Sequence, residues 1–329
     1  MKRVLVTGAT GFVGRHTLAP LTARGYEVHA ASSRARVEET DARAARVEVE
    51  TTRDVRGEET TREVSWHACD LLRKGAAAEL VAEVRPTHLL HMAWYAEPGK
   101  FWTADVNTEW VRASRELFDE FARRGGERVV ASGTCAEYAW GHGEGICTEG
   151  ETPLQPSTLY GMSKLVAYNA LVSRAQSGDF SVAWGRIFFL YGPHEHPARL
   201  VSSVIRALLR GERVALTHGR QVRDFLHVED VASAFVALLD TEVEGPVNIA
   251  SGRAVTLRDL IERIADALDG RQLVDFGARP APEGEPPVLV ADVRRLREEV
   301  GWRPRYDLDE GLRRTIAWWR EREGVGDDG

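Results

Sequence analysis

Short apolar runs recur through the first half of the chain, at 4–6, 27–31, 88–93, 128–132 and 181–189. They are too short for helices and mostly lack the strict alternation of a half-buried strand. Such runs predict strands covered on both faces. Longer stretches of mixed character separate them, with helices predicted at about 12–24 and 107–124. Gly25 suits a helix C-cap, while Pro20 predicts a kink or an early end. Strands alternating with helices predict parallel pairing through right-handed crossovers, a doubly wound α/β design. Residues 35–63 are almost wholly polar and predict a surface excursion. Alternating stretches at 46–51 and 60–66 suggest a hairpin there. Near position 190 the character changes: Pro193, Pro197, a helix at about 198–210, a Pro/Gly-rich stretch at 277–287 and a tail helix with Trp318 and Trp319.

Composition narrows the partners. The 329 residues carry 50 acids against 43 bases, a net charge of −7. Nucleic acid and anionic membranes both select a basic surface, so neither is expected as a partner. Three scattered cysteines, Cys69, Cys135 and Cys147, make neither a disulfide framework nor a zinc site, and no metal is expected. No apolar run approaches the ~20 residues of a membrane span. The N-terminal apolar stretch breaks at Gly8, which argues against a signal peptide. A cytoplasmic protein is expected.

Candidate chemistry begins at VLVTGATGFVG, where Gly8, Gly11 and Gly14 follow a strand and open a helix. Glycine there lets a pyrophosphate approach the free N–H groups of the helix N-terminus, where the dipole favours an anion. Thr10, Phe12 and Val13 share this loop and join the expected cofactor contacts. A second feature is TLYGMSK, which sets Tyr160 and Lys164 one turn apart on one helix face. Tyrosine titrates near about 10 in water. A neighbouring ammonium favours its phenolate and fits it for proton transfer at neutral pH.

The spacing TGxxGxxG resembles the extended short-chain dehydrogenase/reductase superfamily, specifically its nucleotide-sugar epimerases, dehydratases and reductases. The resemblance runs from about residue 1 to 320. It implies a Rossmann-type fold with a smaller C-terminal substrate-binding lobe. The NAD(P)-binding domain is expected over 1–189, with 219–243 packing back onto it, and the lobe over 190–218 and 244–329. In VVASGTCAEY, counting onto the family motif puts the catalytic hydroxyl on Thr134, completing a set with Tyr160 and Lys164. Asp70 and Leu71 match the family's adenine-side pair, and Ala93 and Asn107 match residues beside the cofactor. At the end of the second strand, AASSRAR offers Ser32, Ser33 and Arg34 in place of an acid. A guanidinium suits a 2′-phosphate, so NADP(H) is favoured and NAD(H) stays open.

The second half adds GRQVRDFLHVEDVA, whose Arg223 matches the family's diphosphate-binding arginine. Trp94, Thr134, Arg199 and Arg223 are the expected contacts to a nucleoside-diphosphate sugar. Two departures bear on the reaction. Family dehydratases follow the threonine with Asp-Glu, whereas here Cys135-Ala136 intervene and Glu137 comes one place late, which disfavours dehydration. Phe189 stands where relatives carry an asparagine on the sugar diphosphate. The expectation is therefore an NADP(H)-dependent ketoreductase acting on a 4-keto (deoxy)sugar. The alternatives are an NAD-dependent 4-epimerase and a non-catalytic NADP-binding module. Dimers through helices of the nucleotide-binding lobe are common in the family, so a homodimer is an option.

Overall fold

The computed structural model describes residues 2–33, 52–53, 59–60, 63–141, 144–178, 180–282 and 284–324. Strand β1 (Arg3–Thr7) lies inside the main sheet because its side chains are apolar on both faces. Val4 and Val6 enter one cluster with Leu18, Leu21, Val231 and Phe235. Leu5 enters another with Leu80, Leu117, Phe118 and Val129. Five further strands join in chain order: β2 (Glu27–Ser32), β3 (Ser65–Ala68), β4 (His88–His91), β5 (Arg128–Thr134) and β6 (Ser181–Ile187). Helix α1 (Gly14–Ala23) covers the first face, and α2 (Ala76–Val84), α3 (Val106–Arg123) and α4 (Leu159–Gln176) cover the second.

The predicted strand at 181–189 divides. Phe188 separates β6 from β7 (Phe189–Tyr191), which pairs with β8 (Val222–His227) in a second sheet. Helices α5 (Leu200–Leu209), α7 (Leu257–Asp266) and α8 (Leu308–Glu323) build a third core with that sheet. Val201, Ile205, Leu260, Ile264, Leu312 and Trp319 lie in it. Helix α6 (Val228–Asp240) returns to the first face beside α1. Strand β9 (Gly245–Ile249) then pairs in parallel with β6, so residues 245–249 belong to the main sheet rather than to the smaller lobe. The reason is burial: Val247 and Ile249 are needed by the core under α6. Strand β10 (Val288–Ala291) joins β8 and the short strand Ile146–Cys147.

The seven main strands run β9-β6-β5-β4-β1-β2-β3, all parallel. The order reverses direction at β1, so the crevice for a ligand opens beyond the C-terminal ends of β1 and β4. Pro20 does sit inside α1, and the helix closes at Ala23, with Gly25 at φ +84°. The polar excursion contains an antiparallel pair, Thr52–Arg53 with Glu59–Thr60, but 46–51 lies outside the described residues. The second alternating stretch behaves differently from the expected hairpin arm, because Ser65 and Trp66 enter the parallel edge strand β3. Among the described residues no helix is long and apolar enough to cross a membrane, and no cluster of three or more His, Cys, Asp or Glu could hold a metal.

Candidate active site

The turn from β1 into α1 starts at Gly8, held at φ +69°. A Cβ there would lie 2.7 Å from the Ala93 backbone nitrogen, so the segments after β1 and β4 approach this closely only through glycine. A Cβ on Gly14 would lie 2.2 Å from the Gly8 carbonyl, which accepts the Gly11 N–H at 2.8 Å. No side chain caps α1, and its first turn holds no acid. By contrast α6, α7 and α8 are capped by His227, Thr256 and Asp307 and carry acids in their first turns. A helix N-terminus kept clear of its own anion fits a pyrophosphate, and these residues fit a dinucleotide. Thr10 and Ser32 join their hydroxyls at 2.9 Å beside the turn, and Ser33 is exposed at the end of β2. Arg34 lies outside the described residues. Asp70 is exposed just after β3, where it accepts the Leu72 N–H at 3.0 Å, while Leu71 is buried.

Thr134 ends β5 at the same edge of the sheet, and Tyr160 opens α4 behind the Thr158 cap. The Thr134 hydroxyl lies beside the Tyr160 phenol and favours its ionised form, so residues 26 positions apart share one site. Burial pushes the Tyr160 phenol above its ordinary range, partly offset by Thr134. Lys164, expected to lower the phenol, is not among the main groups acting on it, and desolvation dominates. Lys164 is itself buried, donates to the Ser132 carbonyl at 2.8 Å and sits 4.0 Å over the Trp94 ring. Burial brings its ammonium down to about 7, against a favourable field from Glu137.

Trp94 thus faces the lysine, and its indole N–H donates to Asn107 at 2.9 Å. Asn107 is fully buried and donates to the Phe101 and Ala104 carbonyls at 2.7 and 2.8 Å. The amide shapes the loop after β4 instead of offering free groups to a cofactor. That loop presses Phe101 and Trp102 edge-on against the Tyr160 ring, at 4.8 and 5.8 Å. Sequence reasoning missed a neighbouring relay: His91 bonds Thr7 at 2.7 Å and Ser114 at 2.9 Å beneath the glycine turn. Burial holds His91 neutral, near about 3.

Glu137 does point away from the pocket. Its carboxylate accepts the Thr134 N–H at 2.8 Å, the Trp184 indole N–H at 2.9 Å and Arg186 Nε at 2.7 Å, all in the core. Cys135 is buried, and its thiol is pushed up by desolvation. On the substrate side Arg223 is buried and lies 5.4 Å over the Phe189 ring. It pairs with Glu285 at 2.7 Å, while its neighbour Asp224 is taken up by Ser251 and Gly252. Arg199, at the start of α5, reaches the other side of the pocket and lies 5.2 Å over Phe101.

A glycine-turn nucleotide site, a Thr–Tyr hydroxyl pair and a buried lysine at one sheet edge define a nicotinamide-dependent α/β enzyme. The sequence profile described as the NAD dependent epimerase/dehydratase family matches residues 4–250, and the chain belongs to that family. It is 30% identical over 99% of its length to the UDP-glucose 4-epimerase of Azospirillum brasilense, covering 95% of that protein. It is 25% identical to the UDP-glucuronic acid decarboxylase 1 of Danio rerio, over 98% of this chain and 74% of the relative. Among solved structures, the Thermus thermophilus UDP-glucose 4-epimerase complex with NAD is similar at a TM-score of 0.78 and 26% identity, covering 97% of this chain and 99% of that one. The chain is an enzyme of this family, so the reading as a cofactor-binding module without activity falls away.

Proposed function

We propose that this chain oxidises and re-reduces C4 of a UDP-linked sugar, with 4-epimerisation as the net result. The observation that carries the proposal is the Thr134–Tyr160 hydroxyl pair beside the glycine turn. Tyr160 exchanges the proton of the sugar hydroxyl, and Thr134 holds the same oxygen by a hydrogen bond. Lys164, fixed by Ser132 and Trp94, stands behind them with an ammonium that burial brings down to about 7. A bound nicotinamide dinucleotide supplies the hydride acceptor. Arg223 anchors the diphosphate by bidentate hydrogen bonds once Glu285 yields. Glu137 spends its carboxylate in the core, which argues against removal of water from the sugar.

The order of readings follows the relatives, which are named as acting on UDP-glucose and UDP-glucuronic acid, and the solved neighbour, which is named with NAD. NADPH-dependent reduction of a 4-keto deoxysugar is the second reading. It is supported by Ser32, Ser33 and Arg34 standing where an acid would bind the NAD ribose. A homodimer through α3 and α4 belongs to the proposal, since Met162 and Val166 expose 46% and 52% of their surface on α4. The test follows reduced-cofactor absorbance while a UDP-hexose or UDP-hexuronate is supplied. Inverted sugar without net absorbance change supports epimerisation. Consumption of NADPH by a 4-keto sugar assigns reduction, and no conversion in either assay contradicts C4 chemistry.

A further inference from the structure

Lys164 is a buried ammonium without a carboxylate of its own. Its Nζ donates to the carbonyl and the hydroxyl of Ser132, at 2.8 and 3.4 Å, and no ion pair to it is found among the described residues. Glu137 favours the charge from the loop after β5, yet that carboxylate is bound to Arg186, Trp184 and the Thr134 N–H. His91 on β4 lies within the field of the same ammonium and is neutral. Tyr160 stands one turn earlier on α4. The other group that meets Nζ is the Trp94 ring, 4.0 Å away. The negative face of an indole attracts a cation most strongly where water is excluded, as it is here.

Trp94 is held in turn by two neighbours. Its indole N–H donates to the side-chain oxygen of the fully buried Asn107 at 2.9 Å. Trp110 of α3 stacks on it with ring centroids 6.1 Å apart. The Asn107 amide then donates to the Phe101 carbonyl at 2.7 Å, and so fixes the segment that braces the other half of the acid/base centre. Phe101 and Trp102 meet the Tyr160 ring edge-on, and the Trp102 carbonyl accepts the Tyr160 N–H at 3.1 Å. The loop after β4 therefore reaches Lys164 through an indole face, and Tyr160 through two ring edges and a backbone bond. Asn107 joins the two branches.

We infer that Trp94 is a positioning residue of the acid/base centre, its ring standing in for a counter-anion to Lys164 and its N–H tying that support, through Asn107, to the segment that braces Tyr160. This role replaces the sugar contact expected of Trp94. The inference rests on the reading of Tyr160 and Lys164 given above. Phenylalanine at position 94 keeps an aromatic face and loses the N–H to Asn107, so it replaces tryptophan in part, whereas leucine keeps neither.

The test uses Lys164 itself. It is one of four lysines in the chain, with Lys2, Lys74 and Lys100, so its signal is resolved by NMR when lysine is labelled with carbon-13 at Cε. The signal is assigned by its loss in Lys164→Met, then followed through a pH titration of the ligand-free protein in wild type, Trp94→Phe and Trp94→Leu. A nucleus over an indole face is displaced to lower frequency by the ring current. Wild type should show that displacement and a midpoint of about 7. Losing the ring removes a contact that favours the ammonium, so the midpoint should move down, by about one pH unit in Trp94→Leu and by less in Trp94→Phe. Turnover of UDP-glucose at mildly alkaline pH should fall about tenfold in Trp94→Leu through the same shift, with its affinity for UDP-glucose relative to UDP unchanged by calorimetry. A wild-type Lys164 signal without the displacement, or one midpoint shared by wild type and both variants, would overturn the inference. So would a Trp94→Leu variant that loses affinity for UDP-glucose and keeps it for UDP, since Trp94 would then be a sugar contact. Absence of UDP-glucose turnover in wild type would count against the C4 reading alone, because the titration needs no substrate.

Discussion

Two arginine–glutamate pairs meet at the same distance of 2.7 Å and differ in their surroundings. Arg186 and Glu137 are both 0% exposed, and the carboxylate is shared with Trp184 and the Thr134 N–H. Arg223 is 3% exposed and Glu285 30%, with Gln221 as the carboxylate's second donor at 2.9 Å. The first pair is closed: its acid is surrounded by fixed donors of the core, and it holds the catalytic loop in shape. The second is open on its acid side, which is what the proposed exchange of the carboxylate for a diphosphate on Arg223 requires. Contact distance does not separate a structural pair from a binding site. What separates them is whether one partner reaches solvent and whether its remaining bonds belong to the core.

The largest effect expected from breaking this contrast comes from Glu137→Gln. It leaves a guanidinium buried without its counter-charge, a loss of about 3–5 kcal/mol in unfolding free energy by denaturant titration. Turnover should fall with it, since the amide has one oxygen to share among the Thr134 N–H, the Trp184 indole and the Arg186 guanidinium. Stability within the error of wild type would show that the closed pair is not structural. Glu285→Gln should have the smallest effect. Partly exposed pairs are worth about 0–1 kcal/mol, so unfolding should barely change while UDP binds up to about fivefold tighter. Weaker UDP binding in that variant would mean that Glu285 supports the ligand and does not compete with it.

The parts legible in the sequence are those whose logic is local. The glycine turn needs a strand before it and a helix after it, and all three lie within residues 3–23. Tyr160 and Lys164 share a helix, and the late Glu137 shows its altered aim from spacing alone. Long-range partners were not legible. Arg223 meets an acid 62 residues away, and Asp224, the obvious neighbour, is spoken for by Ser251. The contacts of Phe101 with Arg199 and Tyr160 draw on three separate segments, so no spacing rule announces them. Tyr160 also carries a lesson about charge. The sequence puts a lysine one turn away, but only the fold shows that burial governs the phenol. Strand β9 escaped assignment to the main sheet because a five-residue apolar segment after position 244 does not reveal which sheet it will join.

The central claim is that Tyr160 works on the C4 hydroxyl while hydride leaves C4. It is tested most directly by a single turnover with a UDP-sugar deuterated at C4, followed by mass analysis of the nicotinamide cofactor. The account predicts deuterium transiently in the reduced cofactor of wild-type samples quenched during that turnover and back on C4 of the inverted sugar, with transfer slowed by ~10²–10⁴ in Tyr160→Phe, the range for losing a positioned acid/base. Inverted sugar formed with no deuterated reduced cofactor at any quench time, or a Tyr160→Phe variant that transfers deuterium at the wild-type rate, would contradict it.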